Sequence, residues 1–125
     1  MILGIGTDIV DCQRMRHLLT TYGARFTHKI FSAAEREYCQ KKVDAAPHYA
    51  ARFAAKEAAR KALVGSPPLS WQEVEVVRSS AGPVTLKFFG KASEAAKELA
   101  VDAIHLSLSH EKNMAVAHVI LEGKQ

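Results

Sequence analysis

Arg52-Phe53-Ala54-Ala55-Lys56-Glu57-Ala58-Ala59-Arg60-Lys61-Ala62 is the stretch on which the fold turns. Strong helix formers fill it, so a helix is the only plausible backbone state. Alanines cover one side, and a surface so small lets another backbone come close. Arg52, Lys56, Glu57, Arg60 and Lys61 load the other side with charge. Two readings are open. The segment is a solvated helix face on which Glu57 pairs with Lys61 at i,i+4, or the single acid among four bases holds a metal ion beside bound phosphate.

Ile2-Leu3-Gly4-Ile5-Gly6-Thr7-Asp8-Ile9-Val10 is the second informative stretch. It is apolar and β-branched and reads as an N-terminal strand, with glycines that permit close approach of another group. A carboxylate within such a run is costly unless paired or ligated. Asp8 is therefore a metal or phosphate-site acid, a residue at a frayed strand end, or the partner of an arginine. Asp11, just before Cys12-Gln13-Arg14-Met15, reads as a helix N-cap.

Gly4-Ile5-Gly6-Thr7-Asp8 and Phe53-Ala54-Ala55-Lys56-Glu57-Ala58-Ala59-Arg60-Lys61 closely resemble the two signatures of the 4′-phosphopantetheinyl transferases, in particular the short, bacterial-type holo-acyl-carrier-protein synthases. Ile104-His105-Leu106-Ser107-Leu108-Ser109-His110 is similar to that family's last motif, and the resemblance runs from Met1 to about Leu121. It implies transfer of the phosphopantetheine arm of coenzyme A to a serine of an apo-acyl carrier protein, releasing adenosine 3′,5′-bisphosphate. It also implies magnesium on Asp8 and Glu57, with Lys61 as a third catalytic residue on coenzyme A phosphate. Either Glu57, directly or through water, or a metal-bound water takes the serine proton. Arg52, Lys56, Lys61 and His105 become expected coenzyme A contacts. Arg14 matches the family's carrier-docking arginine, with Leu18, Arg25 and Phe26 as its neighbours. The short members are homotrimers whose active sites are shared between protomers, and fatty-acid synthesis is their usual setting.

Composition agrees with this reading. At 125 residues, 48% hydrophobic and 24% charged, the chain reads as a single domain over 1–125 with a core of its own. No apolar run approaches the roughly 20 residues of a membrane span, and the N-terminus lacks the basic lead-in of a signal peptide. Cys12 and Cys39 read as free thiols in a reducing, cytoplasmic setting. A net charge of +4 suits acidic partners. A nucleic-acid-binding module would share that charge, but aromatics are only 7% and the bases are interleaved with acids. A relative that binds coenzyme A without turnover would have to keep Asp8, Glu57 and Lys61 for no reason.

The remaining segments read as helix over 12–21 ended by Gly23, helix over 36–43 opened by a Ser32/Glu35 capping box, and a long helix with Pro47 in its first turn running to about 64. Strands follow over 74–77 and 84–89 around a turn at 79–83, then helix over 91–100 and a hairpin of 104–109 with 114–121. The expected fold is α+β, a small antiparallel sheet packed on a long central helix, as in the 4′-phosphopantetheinyl transferase fold, assembled as a trimer. The chain departs from the family pattern in the short Val64-Gly65-Ser66-Pro67-Pro68 loop, at Ala81-Gly82-Pro83, and at Met114, where an aromatic is common.

Overall fold

Strand β1 (Ile2–Asp11) is followed by helices α1 (Cys12–Tyr22), α2 (Ala24–Ile30), α3 (Ala33–Gln40) and α4 (Ala46–Ala62) in the computed structural model, which describes residues 1–78 and 80–124. A single 3-10 turn at Trp71–Glu73 leads into β2 (Val74–Arg78) and β3 (Val84–Phe88), then α5 (Gly90–Glu98), β4 (Ala103–His110) and β5 (Met114–Glu122). The expected α+β class holds. The strands divide into two antiparallel sheets rather than one, with order β1-β5-β4 in the first and β2-β3 in the second.

Helix ends follow from local chemistry. Asp11 caps α1 by accepting from the backbone N–H groups of Gln13 and Arg14, and the Ser32/Glu35 capping box opens α3. Pro47 sits in the first turn of α4. Helix α3 ends at Gln40, three residues before the expected limit, and α2 was not legible at all. Gly23, at φ 54°, is both the end of α1 and the start of α2, so the second helix hides behind a residue that reads as a stop. Of the expected turn at 79–83, Ser79 lies outside the described residues.

Helix α4 lies across the inner face of the three-stranded sheet, and the alanine surface is what allows it. Ala54, Ala55, Ala58, Ala59 and Ala62 are all fully buried. Opposite them, Gly4 and Gly6 of β1 face the α4 backbone so closely that a Cβ on either would collide with the carbonyl oxygen of Ala62 or Ala58. Alternation along β1 then puts Asp8 on this same inner face, while Ile5, Thr7 and Ile9 point outward. One core joins α4 to Ala117, Val119 and Leu121 of β5 and to β2, β3 and α5. A second joins the first half of α4 to Met15, Ile30, Phe31 and Cys39. Both cysteines are free and buried; burial raises the Cys12 thiol pKa and pushes that of Cys39 up to about 12, which keeps both protonated at neutral pH.

Candidate active site

Two carboxylates from distant parts of the chain reach one cleft. Asp8 comes from the inner face of β1 and Glu57 from the fourth turn of α4. Both line a cavity of about 260 Å³ together with Asp11, Arg14, Met15, Leu18 and Phe53. A second cavity, about 360 Å³, adjoins the other flank of Glu57 and is lined by Arg60, Lys61 and the Ser66-Pro67-Pro68-Leu69 loop. Neither carboxylate is sealed off: side-chain exposure is 20% for Asp8 and 27% for Glu57. Such groups keep part of their hydration and can be ligands at modest cost.

Each acid has its own cation. Lys61 Nζ lies 3.3 Å from Asp8 Oδ1 and donates to the Thr7 carbonyl at 2.9 Å. Arg60 Nη1 lies 3.3 Å from Glu57 Oε1. The expected Glu57–Lys61 pair is thus replaced by two pairs, one local and one bridging strand to helix. Arg60, one of the charged residues of this helix face, is the neighbour of Glu57 that the sequence reading did not single out; its i,i+3 spacing from Glu57 is the signal for it. Among the described residues no group of three or more His, Cys, Asp or Glu side chains is placed to hold a metal. The donor set here is two carboxylates. That suits a hard cation of the magnesium type, which keeps several waters and takes the rest of its shell from substrate phosphate.

Lys56 does not join this site. Its side chain is 1% exposed and points to the far side of α4, where it pairs with Glu35 at 3.0 Å and donates to the carbonyls of Trp71 and Val74. An ammonium has three donors, and all three are used. Glu35 is equally occupied, accepting from the backbone N–H groups of Ser32 and Val76. The expectation that Lys56 contacts coenzyme A is corrected: it ties the Trp71–Val74 segment and α3 to α4.

Arg52 faces a different cavity, about 300 Å³, lined by Glu35, Tyr38, Lys41, Glu75 and Arg78. Its guanidinium stacks on Tyr38 at 4.1 Å, with Arg78 and Lys42 at 4.9 and 4.6 Å from the same ring. Arg52 Nε is buried with no hydrogen-bond partner among the described residues. His105 lies on the outer face of β4, exposed and 2.9 Å from Glu122 Oε1, with the sheet between it and Asp8 of the same chain. The strand does continue to His110, which turns to the other face as alternation requires and packs on His48 of α4 at 4.8 Å.

The expected docking residues separate. Arg14 is exposed and Leu18 half-buried, both on the rim of the Asp8–Glu57 cleft. Arg25 is exposed on α2. Phe26 is half-buried, its ring edge-on to Phe31 at 6.0 Å, packed against the second core.

Residues 4–117 match the family profile described as the 4′-phosphopantetheinyl transferase superfamily. The holo-[acyl-carrier-protein] synthase of Anaeromyxobacter sp. (strain K) is 45% identical over 126 residues, covering 98% of both chains. Among solved structures, the holo-[acyl-carrier-protein] synthase of Neisseria meningitidis superimposes with a TM-score of 0.83 at 29% identity, covering 98% of this chain and 99% of that one. The holo-(acyl-carrier-protein) synthase of Bacillus anthracis, solved in complex with CoA (3′,5′-ADP), gives a TM-score of 0.78 at 32% identity over 99% of each chain.

Proposed function

Because the chain belongs to the 4′-phosphopantetheinyl transferase superfamily, as an enzyme of its holo-[acyl-carrier-protein] synthase group, we propose that it transfers 4′-phosphopantetheine from coenzyme A to a serine of an apo-acyl carrier protein. The observation that carries the proposal is the shared cleft, in which Asp8 and Glu57 stand beside the apolar and cationic rim of α1. The serine oxygen attacks the phosphorus that bears pantetheine. A new P–O bond forms there, the bridging P–O bond of the pyrophosphate breaks, and adenosine 3′,5′-bisphosphate leaves with the electron pair.

Little covalent work falls to the protein, so positioning and charge near the phosphate oxygens decide the rate. Asp8 and Glu57 are the residues that would hold Mg2+, which when bound supplies positive charge to those oxygens. Glu57 takes the serine proton, directly or through water. Lys61, half-exposed at the mouth of the second cavity, has a donor left over after Thr7 and Asp8 and gives it to a phosphate oxygen. Arg52 is the expected basic contact for the nucleotide end, offered from the separate cavity it lines with Lys41 and Arg78. Arg14 and Leu18 receive the acidic carrier protein, with Arg25 adding charge beyond the cleft. The setting proposed is cytoplasmic fatty-acid synthesis; no helix among the described residues is long and apolar enough to cross a membrane.

Assembly as a homotrimer is part of the same proposal. Strand β1 is a sheet edge, and its outward row carries Ile5 and Ile9, 68% and 62% exposed. An exposed apolar edge of this kind is normally covered. Light scattering should give three times the chain mass, and a fully active monomer would remove this part of the proposal.

The decisive experiment mixes the protein with apo-acyl carrier protein, coenzyme A and Mg2+ and looks by mass spectrometry for the phosphopantetheine adduct. The adduct should form, stop with chelator, and collapse in Asp8→Ala and Glu57→Ala. Coenzyme A binding with no adduct would overturn the reading in favour of an inactive relative.

A further inference from the structure

We propose that Arg60 is a positioning residue that holds Glu57 in the metal-free enzyme and competes with the divalent cation for its carboxylate. The inference rests on reading Asp8 and Glu57 as the cation's ligands. Arg60 reaches Glu57 through a single end-on contact, Nη1 to Oε1 at 3.3 Å, rather than through the paired fork that makes arginine–carboxylate bonds strong. Its guanidinium is meanwhile seated 5.1 Å from the Trp71 ring centroid.

That ring does not move freely. Trp71 is stacked on Phe53 with centroids 4.9 Å apart and planes 28° from parallel, and its carbonyl accepts from Lys56 Nζ at 3.2 Å. Lys56 is in turn fixed by Glu35. Phe53, Glu57 and Arg60 fall at i, i+4 and i+7 along α4, so one helix face carries the ring stack and the ion pair, while Lys56 holds the Trp71 backbone from the buried side of the helix. Trp71 therefore fixes where Arg60 sits, and Arg60 fixes where the Glu57 carboxylate sits when no cation is present.

A cation entering the cleft must take electron density from an oxygen that Arg60 already engages, and it must do so beside a like charge. Both effects weaken metal binding. After exchange the guanidinium keeps its seat on the indole, since a cation–π contact does not need the carboxylate. Lys61 plays the same part for Asp8, but it also serves the phosphate. Arg60 has no second duty in the proposed reaction, so its effect on the metal can be isolated.

The test measures Mn2+ binding without coenzyme A, by the electron paramagnetic resonance signal of free Mn2+, in the wild type, Arg60→Gln, Glu57→Gln and Lys124→Gln. Lys124 is an exposed cation at the far end of the sheet and controls for net charge. Arg60→Gln should bind Mn2+ about two- to fivefold more tightly, the scale of a partly exposed ion pair. Its Mg2+ activation midpoint should fall by a similar factor, with kcat at saturating Mg2+ within about twofold of wild type. Equal or weaker Mn2+ binding in Arg60→Gln, while Glu57→Gln loses binding, overturns the Arg60 inference alone. Equal tightening in Lys124→Gln also overturns it, by assigning the effect to net charge. Wild-type affinity in Glu57→Gln, or no binding by the wild type, overturns both the inference and the metal reading beneath it.

Discussion

The Lys61 ammonium and the Asp8 carboxylate, 53 residues apart in the chain, meet at 3.3 Å and join α4 to β1 at the site. The same ammonium donates to the Thr7 carbonyl, so the helix is fastened to the strand backbone as well as to the side chain. This fastening works only because the two backbones are nearly in contact a few residues earlier, at Gly6 over Ala58 and Gly4 over Ala62. Close approach therefore sets the geometry of the acids, and the ion pair refines it.

Gly6→Ala should consequently cost more than an ordinary core insertion. The new Cβ meets the Ala58 carbonyl, a backbone atom that cannot rotate away. Overpacking costs about 1–3 kcal/mol where side chains can adjust, and here the upper end or more is expected. Urea denaturation should show a loss of at least about 3 kcal/mol. A midpoint unchanged from wild type would mean that β1 and α4 separate without penalty.

Much of this was legible because local signals agreed with tertiary need. Alanine-rich α4 and the glycines of β1 each announced close approach, and the two acids were named from their own surroundings. Three things were hidden. Gly23 reads as a stop, which concealed α2. Lys56 and Lys61 are both lysines of one motif, yet one is enclosed and the other open, because Lys56 points to α3 and the Trp71–Val74 segment. His105 and His110 sit in one motif on opposite faces, and only the register of β4 against β5 shows which reaches α4. In each case the deciding partner is remote in sequence, and periodicity does not encode it.

The Glu35–Lys56 pair should be costly to break and cheap to replace. Burial pulls the Lys56 pKa down, opposed by the Glu35 charge, which shows how fully the ammonium depends on its partner. Removing one member leaves a charge enclosed with no counterion. Lys56→Met and Glu35→Leu should each lose about 3–5 kcal/mol by urea denaturation. The double variant should lose clearly less than the sum of the two, since replacing both members removes the uncompensated charge. Strict additivity would show that the two groups do not act as a pair.

His48 predicts an acid sensitivity of stability. Desolvation lowers its pKa, and His110, Lys42 and Arg52 lower it further against the opposing charge of Asp44. The folded protein thus binds this proton less readily than the unfolded chain does. At pH above the ordinary value of 6.5 neither state is protonated there, and the group costs nothing. As the pH falls through that value toward the lower folded one, the unfolded chain gains the proton first and stability drops. The urea midpoint should fall between pH 7.5 and 5.5, and His48→Gln should flatten that slope. An equal slope in the variant would assign the loss to other groups.

Carrier docking should divide into a part that depends on salt and a part that does not. Arg14 is exposed on the rim of the Asp8–Glu57 cleft, and in the proposed docking role it would steer an acidic partner without touching the chemistry. Leu18, half-buried on the same rim, offers apolar area instead. Arg14→Glu should raise KM for the apo-acyl carrier protein by about tenfold or more, the range of one reversed charge pair. KM for coenzyme A and kcat should change little. Because exposed charges are screened beyond about 8–10 Å at physiological salt, the wild-type advantage should shrink as NaCl rises. Leu18→Ala should raise the same KM by a factor that salt leaves unchanged. If Arg14→Glu instead lowers kcat with KM intact, Arg14 acts on the reacting groups and the rim of the cleft is not the docking surface.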